Sequence, residues 1–227
     1  MSFLSRLFGK KNTMTDITIL GTGNMARGLA ARALAGGKSV QVLAHADKSK
    51  ADALAADLTG QVSTGVLGDA ITGSIVIPAV YFDAAQDIVS RYGDSLDGKV
   101  YVDITNPVDF STFEGLSVPA GSSAAEELQK ATAAKVVKAF NTTFAATLGE
   151  GKVAGQPLDV LVAGDDDAAV AAVTSFASAA GLTPIVVGPL RRARQLEQAG
   201  FLNILLSANE DLPQFQWNSA LRFVPAA

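Results

Sequence analysis

From Asp16 onward, short unbroken apolar runs alternate with longer stretches in which apolar positions recur every three to four residues. The first pattern predicts buried strands and the second predicts helices with one apolar face. Strands are expected at Ile17–Leu20, Val40–Ala44, Val62–Val66, Ile75–Val80, Val100–Ile104 and Val136–Phe140. Helices are expected between them at Met25–Ala35, Lys50–Leu58, Asp83–Tyr92 and Ala124–Thr132, and 108–123 reads as loop. Gly36-Gly37 punctuates the first helix, in keeping with the preference for glycine just past a helix end. After Asn141 the pattern restarts on a smaller scale. It gives strand Val160–Gly164, helix Ala168–Ala180, strand Ile185–Val187 and a helix over about Arg192–Leu206. Repeated strand–helix–strand units predict an α/β fold built on a parallel sheet.

Composition narrows the chemistry. A chain of 227 residues, 48% apolar and 18% charged, can bury a full core and shows no disordered tract. The formal charge of −4, with acids and bases interspersed, leaves no basic face for a run of phosphates, so nucleic acid is not an expected partner. The absence of cysteine excludes disulfides and thiol catalysis and fits a reducing cytoplasm. His45 is the single histidine, which argues against a histidine metal site or a Ser-His-Asp triad, so no metal is expected. No apolar run approaches the roughly 20 residues that span a bilayer, so stable membrane insertion is not expected. Met1–Lys11 mixes apolar and basic residues without the apolar region or cleavage site of a signal peptide. Residues 1–14 read as an N-terminal extension, either loose or a short amphipathic helix, with Met14 an alternative start.

The first strand runs into Gly21-Thr22-Gly23-Asn24-Met25-Ala26, the G-x-G-x-x-A form of a dinucleotide loop. Gly21 makes the tight turn, Gly23 lets a pyrophosphate approach the backbone, and Ala26 lets helix and strand pack closely. The phosphates then meet a helix N-terminus, where free N–H groups and the helix dipole favour negative charge. The loop follows a strand and opens a helix, so the expected fold is a Rossmann-type, doubly wound parallel sheet. Proteins that bind NAD commonly place Asp or Glu at the tip of the second strand. Here that corner reads Ala44-His45-Ala46-Asp47-Lys48-Ser49-Lys50. His45, Lys48 and Lys50 beside Ala44 would welcome a 2′-phosphate, which points to NADP(H); Asp47 is the opposing feature. Pro78, Ala79 and Val80, with Thr105, Asn106 and Pro107 after the fifth strand, are expected to border the nicotinamide, although Asn-Pro is equally an ordinary turn signal. Asn141, after the sixth strand, is a further polar candidate. Three arginines, Arg191, Arg192 and Arg194, stand near a helix start, which admits either an anionic ligand or plain solvation.

Taken in order, Gly21–Ala26, Asp103–Pro107, Ala139–Thr142, Val162–Asp165, Gly188–Leu190, Ala193-Arg194 and Leu196-Glu197 resemble the NADPH-dependent coenzyme F420 reductases. The NADPH-binding domain of eukaryotic metalloreductases is similar over the same segments. Pyrroline-5-carboxylate reductases share the Rossmann half. The resemblance implies a Rossmann domain over 15–142 and a small α/β C-terminal domain over 143–227 that completes the acceptor cleft. It implies hydride transfer between NADP(H) and F420, a flavin or a similar small redox acceptor, with no catalytic side chain. Flavin or ferric-chelate reduction is the alternative among enzymes, and a non-catalytic NADP(H) sensor is the alternative outside them. Two departures stand out: Ala44-His45-Ala46 replaces the family's Ser-Arg pair, and the tail Asp211–Ala227 differs from the family's. A homodimer through the C-terminal helices is also expected.

Overall fold

The computed structural model describes residues 14–226, so the expectation for the extension before Met14 lies outside the described residues. The Rossmann half runs β1 (Thr15–Leu20), α1 (Asn24–Ala35), β2 (Val40–Ala44), α2 (Lys48–Ala56), β3 (Val62–Val66), β4 (Gly73–Pro78), α3 (Phe82–Tyr92), β5 (Val100–Asp103), α4 (Ala124–Ala131) and β6 (Lys135–Lys138). Then come α5 (Ala145–Leu148), β7 (Lys152–Val153), β8 (Gln156–Pro157), β9 (Asp159–Gly164), α6 (Asp167–Ala179), β10 (Thr183–Gly188) and α7 (Ala193–Ala208).

Eight strands form one sheet in the order β10-β9-β6-β5-β4-β1-β2-β3. The six strands from β6 to β3 are parallel neighbours, with Ile17 opposite Ile75 and Ile19 opposite Ile77. Side chains alternate between the two faces, as strand geometry requires. Ile75, Ile77, Val102 and Val137 join a core shared with α1, α2 and α6. Val76, Tyr101 and Val136 join the opposite core, under α3 and α4. Both faces are therefore covered, which is why these strands read as continuous apolar runs.

The expected boundary at residue 142 falls inside this sheet. β9 pairs antiparallel with β6, and β10 lies parallel beside β9, so the region 143–227 adds two strands to the Rossmann sheet. Between β6 and β9 the chain holds only the one-turn α5 and the β7–β8 hairpin, neither foreseen from the sequence. A parallel return needs a crossover of a dozen or more residues, usually a helix; an antiparallel neighbour does not. Elsewhere the expected elements stand within two residues of their predicted limits.

Candidate functional site

Gly21 leaves β1 with φ +123°, and its N–H donates to the Leu43 carbonyl at 2.8 Å. A Cβ at this position would stand 2.7 Å from the Ala79 carbonyl oxygen, so the turn accepts only glycine. Gly23 is the N-cap of α1 with an ordinary φ of −77°, and a Cβ there would meet nothing within 4 Å. No side chain caps α1 and its first turn carries no acidic residue. Its free N–H groups and positive end therefore remain available to an anion.

Past this helix end the carboxyl ends of β4, β5 and β6 open into a cleft of about 440 Å³. Gly23, Asn24 and Met25 form one side, Ala79 and Val80 the next, and Thr105, Asn106 and Asn141 the floor. The two asparagines clasp each other across the strand ends. Asn106 Nδ2 donates to the Asn141 carbonyl at 2.7 Å, and Asn141 Nδ2 donates to Asn106 Oδ1 at 2.9 Å and to the Leu196 carbonyl at 2.8 Å. Phe140 turns the chain with φ +62°, a costly conformation for a bulky residue, which swings Asn141 inward. Thr105 Oγ1 and Asn141 Oδ1 are buried and have no hydrogen-bond partner. Buried polar atoms are normally satisfied, so this donor–acceptor pair fits a bound amide. The nicotinamide carboxamide is such a group, and the cleft passes this test of fit.

Directly behind that floor lies a fully buried cluster of charges. Lys138 Nζ donates to Asp103 Oδ2 and Glu197 Oε1, both at 2.8 Å, and to the Thr105 carbonyl at 2.5 Å. Glu197 also accepts from the Ala124 and Ala125 N–H groups at the start of α4. Burial pushes the Glu197 carboxyl above the usual carboxylate range, while the Lys138 ammonium pulls it back down.

Among the other expected residues, His45 lines a second, smaller pocket of about 100 Å³ with Gly21, Val80 and Arg91. Lys50 is exposed nearby. Lys48 is occupied instead: its ammonium meets Asp52 at 2.5 Å and Thr64 at 2.8 Å. Asp47 spends its carboxylate on capping α2 through Ser49, and those hydrogen bonds hold its carboxyl below the usual range. Thr22 sits in the turn, while Ala44, Pro78 and Pro107 are buried behind the cleft walls rather than in them. Of the three arginines, Arg194 is explained without a ligand: it forms a two-pronged pair with Glu126, Nε to Oε2 at 2.8 Å and Nη2 to Oε1 at 2.6 Å.

Several cleft residues escaped the sequence. Tyr81 and Phe110 meet edge-on at 6.0 Å, and Phe110 meets Phe113 at 5.5 Å, giving one aromatic rim. On another side Trp217, from the tail, meets Phe144 edge-on at 5.3 Å. Gly200 of α7 is the least expected: a Cβ there would stand 2.4 Å from Asn106 Oδ1, so the asparagine clasp needs a glycine in the helix. An isolated glycine inside a helical pattern was the available signal. Among the described residues, no helix is long and apolar enough to cross a membrane, and no group of His, Cys, Asp or Glu is placed to hold a metal ion.

Residues 16–107 match the family described as NADP oxidoreductase, coenzyme F420-dependent. Over 184 residues, 80% of this chain, the sequence is 33% identical to Metalloreductase STEAP3 of Rattus norvegicus, of whose length the chain spans 35%. A solved structure proposed to be an F420-dependent NADP-reductase, from Arthrobacter sp. FB24, superimposes with a TM-score of 0.78 at 26% identity, covering 93% of this chain and all of that one (100%). A hypothetical protein from Sinorhizobium meliloti gives a TM-score of 0.70 at 29% identity, over 79% of this chain and 88% of the other. An imine reductase from Aspergillus terreus in complex with NADPH4 shares the fold at 19% identity, with a TM-score of 0.62 over 86% of this chain and 62% of that one. Fold, cleft and these similarities together place the chain among Rossmann-type, dinucleotide-binding folds related to NADP-dependent oxidoreductases. Its dinucleotide-binding segment, 16–107, is thus similar to that of the coenzyme F420-dependent NADP oxidoreductases.

Proposed function

We propose that this chain catalyses hydride exchange between NADP(H) and a flat, conjugated ring acceptor of the deazaflavin or flavin kind. The observation that carries the reading is the cleft itself. Two unpartnered polar atoms, Thr105 Oγ1 and Asn141 Oδ1, lie on its floor, and aromatic side chains from Tyr81, Phe110, Phe144 and Trp217 line it. The bound dinucleotide supplies the hydride. The chain's own residues bind and align: the α1 N-terminus holds the pyrophosphate, Thr105 and Asn141 orient the carboxamide, and the aromatic rims stack the acceptor ring. His45 and Lys50 receive the 2′-phosphate, and Arg91, in the same pocket as His45, joins the adenosine end. Alignment of two rings at reacting distance is itself a large catalytic factor. We assign the reaction to the cytoplasm on the cysteine-free composition. We assign a homodimer to α7, where Leu202 and Leu205 stay exposed; sedimentation reads it directly.

The deciding experiment follows NADPH oxidation by purified protein against F420, FMN, riboflavin and a ferric chelate. Turnover should depend on an added ring acceptor and saturate with it. Saturation only with the ferric chelate supports the second reading, favoured by the 33% identity to a metalloreductase. Tight NADPH binding without turnover on any acceptor supports a sensor.

Two smaller predictions arise here. NADPH should bind at least about tenfold more tightly than NADH, equivalent to about 1.4 kcal/mol, and His45→Ala and Lys50→Ala should each narrow that gap. Lys48→Ala should matter less, because its ammonium already serves Asp52 and Thr64. Equal affinities for both dinucleotides in the parent protein would refute the assignment of the 45–50 corner. Thr105→Val removes a hydroxyl with no protein partner, so folding stability should stay within about 0.5 kcal/mol while NADPH affinity falls about tenfold. Calorimetry beside a thermal melt separates the two effects.

A further inference from the structure

The cluster behind the cleft floor has been given no role in the reaction above, and stability gives no reason to keep it. Lys138, Asp103 and Glu197 all have side chains with 0% exposure. Fully buried ion pairs repay their desolvation poorly, and an apolar trio of similar volume often serves as well or better. The cluster is also unbalanced, with one ammonium facing two carboxylates.

Every hydrogen bond to those carboxylates comes from a donor. Asp103 Oδ1 accepts from the Thr105 N–H at 2.9 Å and Oδ2 from Lys138 at 2.8 Å. Glu197 accepts from Lys138 at 2.8 Å, from the Ala124 N–H at 3.0 Å and from the Ala125 N–H at 3.4 Å. No contact calls for a carboxyl proton, so the geometry is built for two anions and one cation. The start of α4 offsets only part of the excess negative charge. Glu126 of α4 and Arg194 of α7, on the two helices that carry the cluster's partners, are paired with each other.

The cluster reaches the cleft through the backbone of the residues beside it. Lys138 holds the carbonyl of Thr105, the residue whose free hydroxyl lies on the floor. Leu196, next to Glu197, holds the amide of Asn141. A nicotinamide ring in the oxidised state carries a positive charge that the reduced ring lacks. Lys138, Asp103 and Glu197 are fully buried, so their interaction with a ring on that floor would be weakly screened.

We propose that Lys138, Asp103 and Glu197 form a buried net-negative triad that poises the site toward the oxidised dinucleotide and so favours release of hydride to the acceptor. These are positioning residues: they act through the Thr105–Asn141 wall and touch neither ring. The inference rests on the cofactor placement proposed above.

The test measures dissociation constants for NADP⁺ and NADPH separately, by calorimetry without acceptor, in the parent, Glu197→Gln and Asp103→Asn proteins. The parent should bind NADP⁺ at least as tightly as NADPH. Each variant should raise the ratio of the NADP⁺ to the NADPH constant about tenfold, because one buried charge is removed. A purely structural role would weaken both forms together, and an unchanged ratio overturns the triad's role alone. If neither variant folds, the parent still decides: NADP⁺ binding more than tenfold weaker than NADPH overturns the proposal. A parent that binds neither form overturns the cofactor placement, and the triad's role falls with it.

Discussion

Gly23→Val is expected to weaken NADPH binding at least about a thousandfold, a loss near 4.1 kcal/mol, in a protein that melts as the parent does. The two halves of this result have separate causes. The fold tolerates the change because Gly23 has an ordinary φ of −77° and a Cβ there would meet no atom within 4 Å. The ligand does not tolerate it, because that open space lies over the N-terminus of α1, where the pyrophosphate must approach the backbone. Gly21 supplies the contrast. Its φ is +123° and a Cβ would stand 2.7 Å from the Ala79 carbonyl oxygen, so Gly21→Val should damage the fold itself. Titration calorimetry with a thermal melt reads both variants. Parent-like NADPH affinity in a folded Gly23→Val protein sinks the role of the loop.

That contrast also marks how much the sequence could disclose. The loop was legible because its glycines follow a strand and precede a helix, so their spacing alone separates a turn former from a ligand cradle. The inner strands were legible because both faces are covered, and Ile17, Ile19, Ile75 and Ile77 therefore read as unbroken apolar runs. Partnerships across long separations were not legible. Nothing in Glu197 or Lys138, 59 residues apart, announces that their side chains meet at 2.8 Å. The same limit hid the reversed direction of β9, which shows only in its pairing of Val137 with Gly164 and Lys138 with Ala163. Trp217 stood in a tail marked only as differing from the family's, with nothing to single it out as a cleft residue. It lines the cleft because the chain beyond it is tied down by the Phe223 N–H on Asp159 at 2.6 Å and by Arg222 on Gln156 at 2.9 Å. Lys48 shows the opposite error, since a lysine suited to a phosphate by position is spent on Asp52.

Asn141→Ala is expected to slow single-turnover NADPH oxidation about a hundredfold at saturating NADPH and acceptor, without changing the shape of the pH profile. The size follows from alignment. Asn141 is 5% exposed, its Nδ2 ties Asn106 to the Leu196 carbonyl, and its Oδ1 is free to fix the carboxamide. Removing the side chain releases the clasp and the ring together, and a misplacement of about 1 Å costs on the order of a hundredfold. The flat profile follows from the lining, in which no carboxylate, histidine, lysine or arginine takes part. An enzyme that relies on a general acid or base shows that group's titration in its turnover. Here the parent and Asn141→Ala rates should both stay nearly level between about pH 6 and 8. His45 stands outside this lining, in the smaller pocket, and saturating NADPH removes its effect on binding. Stopped-flow absorbance at a series of pH values measures the profile. A steep bell in the parent that levels out in Asp103→Asn would give Asp103 a proton-transfer role. The acceptor would then belong among carbonyl or imine compounds, whose reduction needs a proton delivered at the site.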